Sequence, residues 1–222
     1  MIDLQHRKRF LLLTILLAVV VILRLFVVEV RRVVNWQMYP SLYENDFYVL
    51  NKLSKSPKRG GVYFFEGLAK GQEGLFRVVG LPGDRVKYWA GRLYLNRRLV
   101  DEVKGSVEHL PFGKSSAVDL SDVSYMKNLE ETLPKKKYAV IAFESGTKEN
   151  LDELTVPEGM LFVLKDFRAI GIDSRKFGVV PVENISGEAF YTLYSCTDLL
   201  GKKMSICDFF KFRKARFFTR IP

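Results

Sequence analysis

Near its N-terminus the chain has a long apolar segment. Residues 10–28 are aliphatic or aromatic except for Thr14 and Arg24, and the cationic residues 7–9 precede them. A helix of this length spans about 28 Å, close to the thickness of the hydrocarbon core of a bilayer. Because the segment is apolar on every face, it predicts a transmembrane helix at 10–28, with residues 1–9 as a cytoplasmic N-terminus.

A cleavable signal peptide is the alternative interpretation of the same segment. Signal peptides have a shorter apolar stretch, followed by small residues at the cleavage site. Here Glu29, Arg31 and Arg32 follow the apolar residues and no pair of small side chains marks a cleavage site, so a permanent anchor is favoured. The two arginines leave the orientation only weakly determined by charge.

Beyond the anchor, short runs of β-branched and aromatic residues alternate with glycine, proline and charged residues. This pattern is typical of a mainly β protein. The predicted strands cover residues 47–50, 62–65, 76–79, 85–88, 92–95, 138–143, 160–164, 178–182 and 185–193. A short turn that contains Gly91 joins two of these strands into a predicted hairpin.

The composition changes between residues 104 and 154. Ser, Lys, Asp and Glu become frequent there and the apolar periodicity weakens, apart from the strand predicted at 138–143. We therefore predict an inserted secondary lobe at 104–154. It interrupts a main antiparallel β-domain formed by residues 29–103 and 155–222.

Composition and charge narrow the functional classes. The 222 residues include 48% hydrophobic and 27% charged residues, which excludes a largely disordered chain. With two histidines and two cysteines, neither a histidine-rich metal site nor a disulfide scaffold is expected, and we predict no metal and no cofactor. Cys196 and Cys207 are compatible with a disulfide in an oxidising compartment, but the sequence leaves their pairing open.

The C-terminal residues 202–222 combine lysine and arginine with phenylalanine, within a chain of formal net charge +10. A nucleic-acid-binding tail is one interpretation of such a segment. For a membrane-anchored chain, contact with anionic headgroups of membrane lipid is the better one, so we expect no nucleic-acid partner. A final strand with a solvated basic face is the alternative.

Four segments of the chain carry a resemblance to a known family. They are residues 24–42, which end in QMYPSL, residues 59–67, with RGGVYFFEG, residues 76–96, which include RVVGLPGD, and residues 156–190, which include DSRKFG. In order and spacing they resemble the type I signal peptidases, membrane-bound serine–lysine peptidases that remove signal peptides from exported proteins. The resemblance implies a signal-peptidase-like β-domain on the extracytoplasmic side of the inner membrane, tethered by the single N-terminal helix.

The motif residues also have physical roles of their own. The positions that we assign to structure are Arg77, Gly80, Pro82, Gly83, Asp84, Asp173, Ser174, Arg175 and Gly178. The glycines and the proline suit a tight turn between strands, and Asp84 can accept hydrogen bonds from backbone amides of that turn. Asp173 and Arg175 can form a charge-assisted pair that holds one loop against the core.

The chemistry that the resemblance implies is missing from the expected positions. The family uses a serine nucleophile and a neutral lysine as general base, and the register places these on Gln37 and Phe76. The serine that orients the lysine falls on Gly171, and a position that in some members donates to the oxyanion falls on Asn35. An amide is a poor nucleophile and a phenyl ring cannot accept a proton, so we predict an inactive homologue. In the same motif the family's glycine is replaced by Lys165.

The resemblance further implies a groove for an extended peptide next to Met38, Tyr39 and Pro40. The predicted partners are membrane lipid, signal peptides or exported preproteins, and an active signal peptidase paralogue. An atypical active peptidase that uses Ser41 is the first alternative, although the sequence gives no geometric reason for Lys165 to contact Ser41. A membrane-tethered protein that works through the insertion is the second, and His109 within it is interpreted as a surface residue.

Overall fold

The computed structural model describes residues 4–69, 72–105, 126–134, 136–143, 150–197 and 212–222, so that His109 and Cys207 lie outside the described residues. Helix α1 (Leu4–Ile22) continues into a π-helical segment (Leu23–Val27), and the first strand begins directly afterwards. The helix therefore begins and ends earlier than the segment predicted at 10–28. Among the residues described, no helix has both the length and the hydropathy needed to cross a membrane.

The described chain is mainly β, as predicted, and its strands pair antiparallel. The strands are β1 (Val28–Arg32), β2 (Asp46–Asn51), β3 (Val62–Phe65), β4 (Gly74–Gly80), β5 (Arg85–Trp89), β6 (Arg92–Leu95), β7 (Arg98–Leu99), β8 (Asp101–Lys104), β9 (Met126–Leu133), β10 (Lys136–Phe143), β11 (Leu151–Thr155), β12 (Met160–Leu164), β13 (Val180–Pro181), β14 (Ile185–Ser195) and β15 (Thr219–Arg220). A short helix, α2 (Ser174–Phe177), precedes β13. The predicted hairpin is confirmed, because β5 and β6 pair with Trp89 opposite Arg92.

The largest sheet positions the candidate site. Its strand order is β1-β2-β14-β3-β4-β12-β13, and β15 pairs with β14. Strand β4 is buried from Leu75 to Gly80, in keeping with its nearly continuous apolar sequence. Strand β12 covers only part of β4, since its last residue, Leu164, pairs with Arg77. Residues 74–76 of β4 therefore continue beyond the end of β12.

Some described residues of the segment predicted as an inserted lobe share a core with the main domain. Strands β8, β9 and β10 form a three-stranded sheet, whereas β11 joins β5, β6 and β7. Leu133 and Tyr138, both inside the predicted insertion at 104–154, are buried in the same cluster as Val79 and Val86. Alternate residues of β10, Tyr138 and Val140, face this core, so this strand packs on the main domain.

The strand predicted at 178–182 is mostly irregular. Only Val180–Pro181 pairs with β12, and a 3₁₀ turn, Val182–Asn184, follows. Proline has no backbone N–H to continue a ladder, which explains the short strand. Gly178 ends α2 with φ +83°, a conformation that favours glycine.

The described part of the C-terminal segment lies against the main sheet. Strand β15 pairs with β14, and Arg216 forms a 2.5 Å ion pair with the buried Asp46. Phe217 and Phe218 remain exposed, by 63% and 60%. The segment thus combines a short final strand with exposed aromatic side chains. Cys196, just after β14, is disulfide-bonded.

Candidate functional site

A buried arginine–aspartate pair joins strand β4 to the turn after β12. Arg77 and Asp166 are fully buried, and the guanidinium donates to the carboxylate from Nε at 2.7 Å and from Nη2 at 2.6 Å. Nη2 of Arg77 also donates to Ser41 Oγ at 2.9 Å, and the guanidinium lies 4.0 Å from the centroid of the Tyr138 ring. Because separating a buried pair leaves an uncompensated charge, these contacts fix the turn relative to the sheet.

A second ion pair fixes the end of β12. Arg175 donates from Nε to Asp173 Oδ1 at 2.8 Å, so the predicted pair is present. Asp173 also caps α2 and accepts the backbone N–H of Lys165 at 3.0 Å. Ser174 Oγ accepts the backbone N–H of Val163 at 2.9 Å. The loop from β12 to α2 is therefore held at several points, and Lys165 begins it.

The turn between β4 and β5 has the predicted geometry. Asp84 accepts the backbone N–H of Leu81 at 2.6 Å, and Gly83 has φ +84°. A side chain at Gly80 would come within 3.0 Å of three neighbouring side chains, which explains the glycine by close packing. Pro82 is half-buried in the same turn. These residues shape the end of β4 at Gly80, whereas Phe76 lies near its beginning.

Gln37 lies in the segment between β1 and β2, beside the turn after β12. Its carbonyl accepts the backbone N–H of Phe167 at 3.0 Å, and its side chain is half-buried. Its own backbone N–H donates to Asn35 Oδ1 at 3.1 Å. A backbone N–H at the nucleophile position is a donor suited to an oxyanion, but here the Asn35 side chain already engages it.

Phe76 is the residue that we predict at the position of the family's lysine base. The ring is buried and meets Phe65 and Phe177 edge-on, each with a centroid distance of 5.8 Å. The Nζ of Lys165 lies 3.4 Å from the centroid of the Phe76 ring and donates to the carbonyl of Leu75 at 2.6 Å. A lysine from the loop after β12 thus places its amine on the ring that replaces the expected lysine.

Gly171 makes room for this lysine. A Cβ at this position would lie 2.5 Å from Lys165 Cβ and 2.7 Å from its Cγ. Distances below 3.0 Å require one of the two groups to move, so a serine at 171 is sterically incompatible with the observed Lys165 conformation. Lys165 therefore packs against both Gly171 and Phe76, two of the predicted catalytic positions.

The environment of Lys165 perturbs its titration. The side chain is 3% exposed, and burial lowers the pKa of its ammonium to about 7, with Asp173 and Asp166 opposing the effect. Near neutral pH the amine therefore exists in both protonation states. Such a group can accept a proton or present a charge, in contrast to an exposed lysine.

A family model matches a range of the chain that includes these residues. The family model described as "Signal peptidase, peptidase S26" matches residues 6–194 of the chain. The chain belongs to the signal peptidase family. The predicted resemblance is therefore confirmed across most of the sequence, and the matched range includes Gln37, Phe76, Lys165 and Gly171.

Individual signal peptidases show the same relationship. A signal peptidase I of Bacillus caldolyticus is 30% identical over 173 residues, which cover 77% of this chain and 81% of that protein. A signal peptidase I of Pseudomonas aeruginosa is 31% identical over 211 residues, covering 82% of this chain and 70% of that protein. A crystal structure of a signal peptidase I of Enterococcus faecalis V583 covers 61% of this chain and 97% of that chain, with 29% identity and a TM-score of 0.37.

The residues predicted to lie next to the peptide groove of this signal peptidase homologue are core residues. Met38 and Tyr39 are 2% and 1% exposed, and Pro40 is buried after a cis peptide bond. Met38 packs in the same cluster as Leu75 of β4. The residue that follows them, Ser41, is also buried.

Ser41, the alternative nucleophile, has an unsuitable neighbour. Its Oγ accepts from Arg77 Nη2 at 2.9 Å. A guanidinium remains protonated and cannot take the proton of a serine, so this contact does not activate the hydroxyl.

Lys165 is the site residue to which the sequence reasoning gave no role. A signal for it was present, because the glycine of the family motif becomes Lys165 while its serine becomes Gly171. The side chain at 165 is larger than the family's glycine, and the residue at 171 is smaller than the family's serine. This pattern indicates that the Lys165 side chain occupies space that the serine side chain would fill.

Proposed function

We propose that this signal peptidase family member binds extended peptide segments at the membrane without cleaving them by the serine–lysine route. The proposal is carried by Gln37 and Phe76, which the sequence register predicts at the positions of nucleophile and base. The Gln37 amide is a poor nucleophile, and the Phe76 ring packs between two further aromatic rings. Without an acylated serine there is no covalent intermediate for water to resolve.

The edge of β4 beyond β12 is the proposed binding surface. Val78 exchanges backbone hydrogen bonds with residues 60 and 61 on the β3 side. Backbone groups alternate in direction along an antiparallel strand, so those of Leu75, three residues away, point to the opposite side, where β12 has ended. An extended peptide can pair with such an edge. We propose signal peptides, or membrane-proximal segments of exported preproteins, as this peptide.

Helix α1 supports a membrane location. Its apolar side chains are exposed, with Phe10 and Leu17 accessible over 71% and 64% of their surface. Large exposed apolar surface is covered by lipid or by another protein. We propose that lipid covers it, that residues 7–9 remain in the cytoplasm, and that the β-domain lies outside the inner membrane. An active signal peptidase paralogue is a further proposed partner.

The decisive experiment compares cleavage of a secretory preprotein by three proteins in liposomes. The first is the purified full-length wild type, with an active signal peptidase as reference. The second is Gln37→Ser/Phe76→Lys/Lys165→Gly/Gly171→Ser, which restores the family residues. All four changes are needed, because a lysine at 76 meets the Lys165 ammonium and a serine at 171 collides with the Lys165 stem. The third protein carries the same changes but keeps Gln37.

We expect the wild type to bind the preprotein but leave it intact, and the four-residue variant to cleave it. The variant that keeps Gln37 should remain silent, because it has the base without the nucleophile. Cleavage by the wild type would overturn the proposal. Binding of preprotein no stronger than binding to protein-free liposomes would overturn it as well.

A further inference from the structure

The buried charges around the cleft do not balance. Among the described residues near the end of β12, four cations and three carboxylates have buried side chains: Arg77, Lys165, Arg168, Arg175, Glu131, Asp166 and Asp173. Each carboxylate is paired with one arginine, at 2.6 Å in the Arg77 pair, 2.9 Å in the Arg168 pair and 2.8 Å in the Arg175 pair. Lys165 is therefore the cation in this group without a carboxylate of its own.

The hydrogen bonding of the Lys165 ammonium is also incomplete. An ammonium has three N–H groups. Within the described residues, one donates to the Leu75 carbonyl at 2.6 Å, and the ring of Phe76 covers another side. The lowered pKa of Lys165 agrees with this arrangement, because burial outweighs two carboxylates that arginines already neutralise. The site is thus prepared to receive a hydrogen-bond acceptor with negative charge.

An approach to the ammonium exists on one side. Gly74 is half-exposed, and a Cβ built on it would lie 3.5 Å from Lys165 Nζ. Because residue 74 has no side chain, the space next to the amine is not filled from this strand. Gly74 also begins the part of β4 that extends beyond β12, so a peptide on this edge passes next to the amine.

We propose that Lys165 is a carboxylate-binding residue of the peptide cleft, and that this protein selects extended peptides that carry an acidic side chain beside Leu75. The proposal rests on the proposed function, because it assumes peptide binding at the β4 edge. A bound carboxylate supplies the missing countercharge and accepts from the remaining N–H groups. A neutral peptide that takes the Leu75 carbonyl would instead leave a buried ammonium without an acceptor.

The test is a fluorescence-anisotropy titration of the full-length protein in nanodiscs. The probes are labelled ten-residue peptides of small residues, acetylated and amidated, with one glutamate moved through successive positions. Each has a partner peptide with glutamine at the same position, and one further peptide has glutamine and a free C-terminal carboxylate. The proteins are the wild type, Lys165→Met, Lys165→Gln and the control Lys176→Met, which makes the same change at an exposed position.

At the position that faces Lys165, we expect glutamate to bind the wild type about tenfold more tightly than glutamine at pH 7. Lys165→Met and Lys165→Gln should abolish this preference, and Lys176→Met should retain it. Above pH 7 the affinity for the glutamate peptide should fall by up to about tenfold per pH unit, because binding must then restore the proton on Lys165. The paired glutamine peptide should lack this decline.

The possible failures are distinguishable. If peptides bind the wild type with no preference for glutamate, or if Lys165→Met keeps the preference, the assignment of Lys165 is wrong and peptide binding stands. If no peptide binds any variant, both this inference and the proposed function are overturned. Tighter binding of the free C-terminal carboxylate alone would replace an acidic side chain by a peptide terminus and overturn the stated selectivity.

Discussion

The ion pairs around the candidate site and the residues at its predicted catalytic positions differ in what they keep of the family pattern. The structural contacts are intact, with Arg77 paired to Asp166 and Asp173 paired to Arg175 at distances below 3 Å. The positions predicted for chemistry hold Gln37 and Phe76, and a lysine lies across the ring of Phe76. We therefore expect the residues that hold the fold to be separable from those at the predicted catalytic positions.

The replaced positions fit one another, which distinguishes them from scattered losses. The lysine at 165 needs the space that Gly171 leaves, and its amine uses the face of Phe76 and the carbonyl of Leu75. Reverting position 171 alone would create a collision with the stem of Lys165, and reverting position 76 alone would create a second buried ammonium. The comparison of the two regions can thus be tested by asking how much each contributes to stability and how strongly its members are coupled.

The largest effect is expected from the intact region. Asp166→Asn leaves the fully buried Arg77 without its countercharge, and we expect a loss of about 3–5 kcal/mol in the free energy of unfolding. Gln37→Ser, at a half-buried position, should change stability by less than about 0.5 kcal/mol. Urea unfolding of the full-length protein in detergent measures both. Equal losses in the two variants would contradict the separation of structural from chemical positions.

An intermediate effect is expected from Gly171→Ser. The new Cβ would collide with the stem of Lys165, and we expect this overpacking to cost about 1–3 kcal/mol. Adding Lys165→Gly removes the stem, so the same serine should then cost less than half as much. A double-mutant cycle by urea unfolding gives the coupling directly. Additive losses in the cycle would show that positions 165 and 171 do not share this space.

Much of the fold was accessible from the sequence because buried strands have simple patterns. The strands at Val62–Phe65 and Met160–Leu164 have the predicted bounds, since each is a short apolar run between turn residues. Strands with charged outer faces were missed, among them Met126–Leu133, whose sequence lacks a clear alternation. The polar composition of 104–154 also concealed that Tyr138 joins the main core.

The candidate site was predictable only in part, for a different physical reason. Register along the motifs predicted Gln37 directly before Met38, Phe76 directly before Arg77 and Gly171 two residues before Asp173. The side chain of Lys165 extends to β4, where its amine donates to the carbonyl of Leu75, 90 residues away in sequence. Sequence spacing fixes where a backbone position lies, but it does not fix where a long flexible side chain ends.

The smallest expected effect is the change in the free energy of unfolding per pH unit that the titration of Lys165 causes. The pKa of Lys165 is lowered from 10.5 to about 7 in the folded protein, so between these values the unfolded chain binds one more proton than the folded chain. Stability from this group therefore rises with pH across that window, by at most about 1.4 kcal/mol per pH unit, and is constant below pH 7. Urea unfolding at pH 7.5 and 9.5 should show this rise in the wild type and in Lys176→Met, but Lys165→Met should show it less steeply. If the free energy of unfolding changed equally with pH in all three proteins, Lys165 would keep its proton in the folded state. The neutral amine would then not form at this site in the tested range.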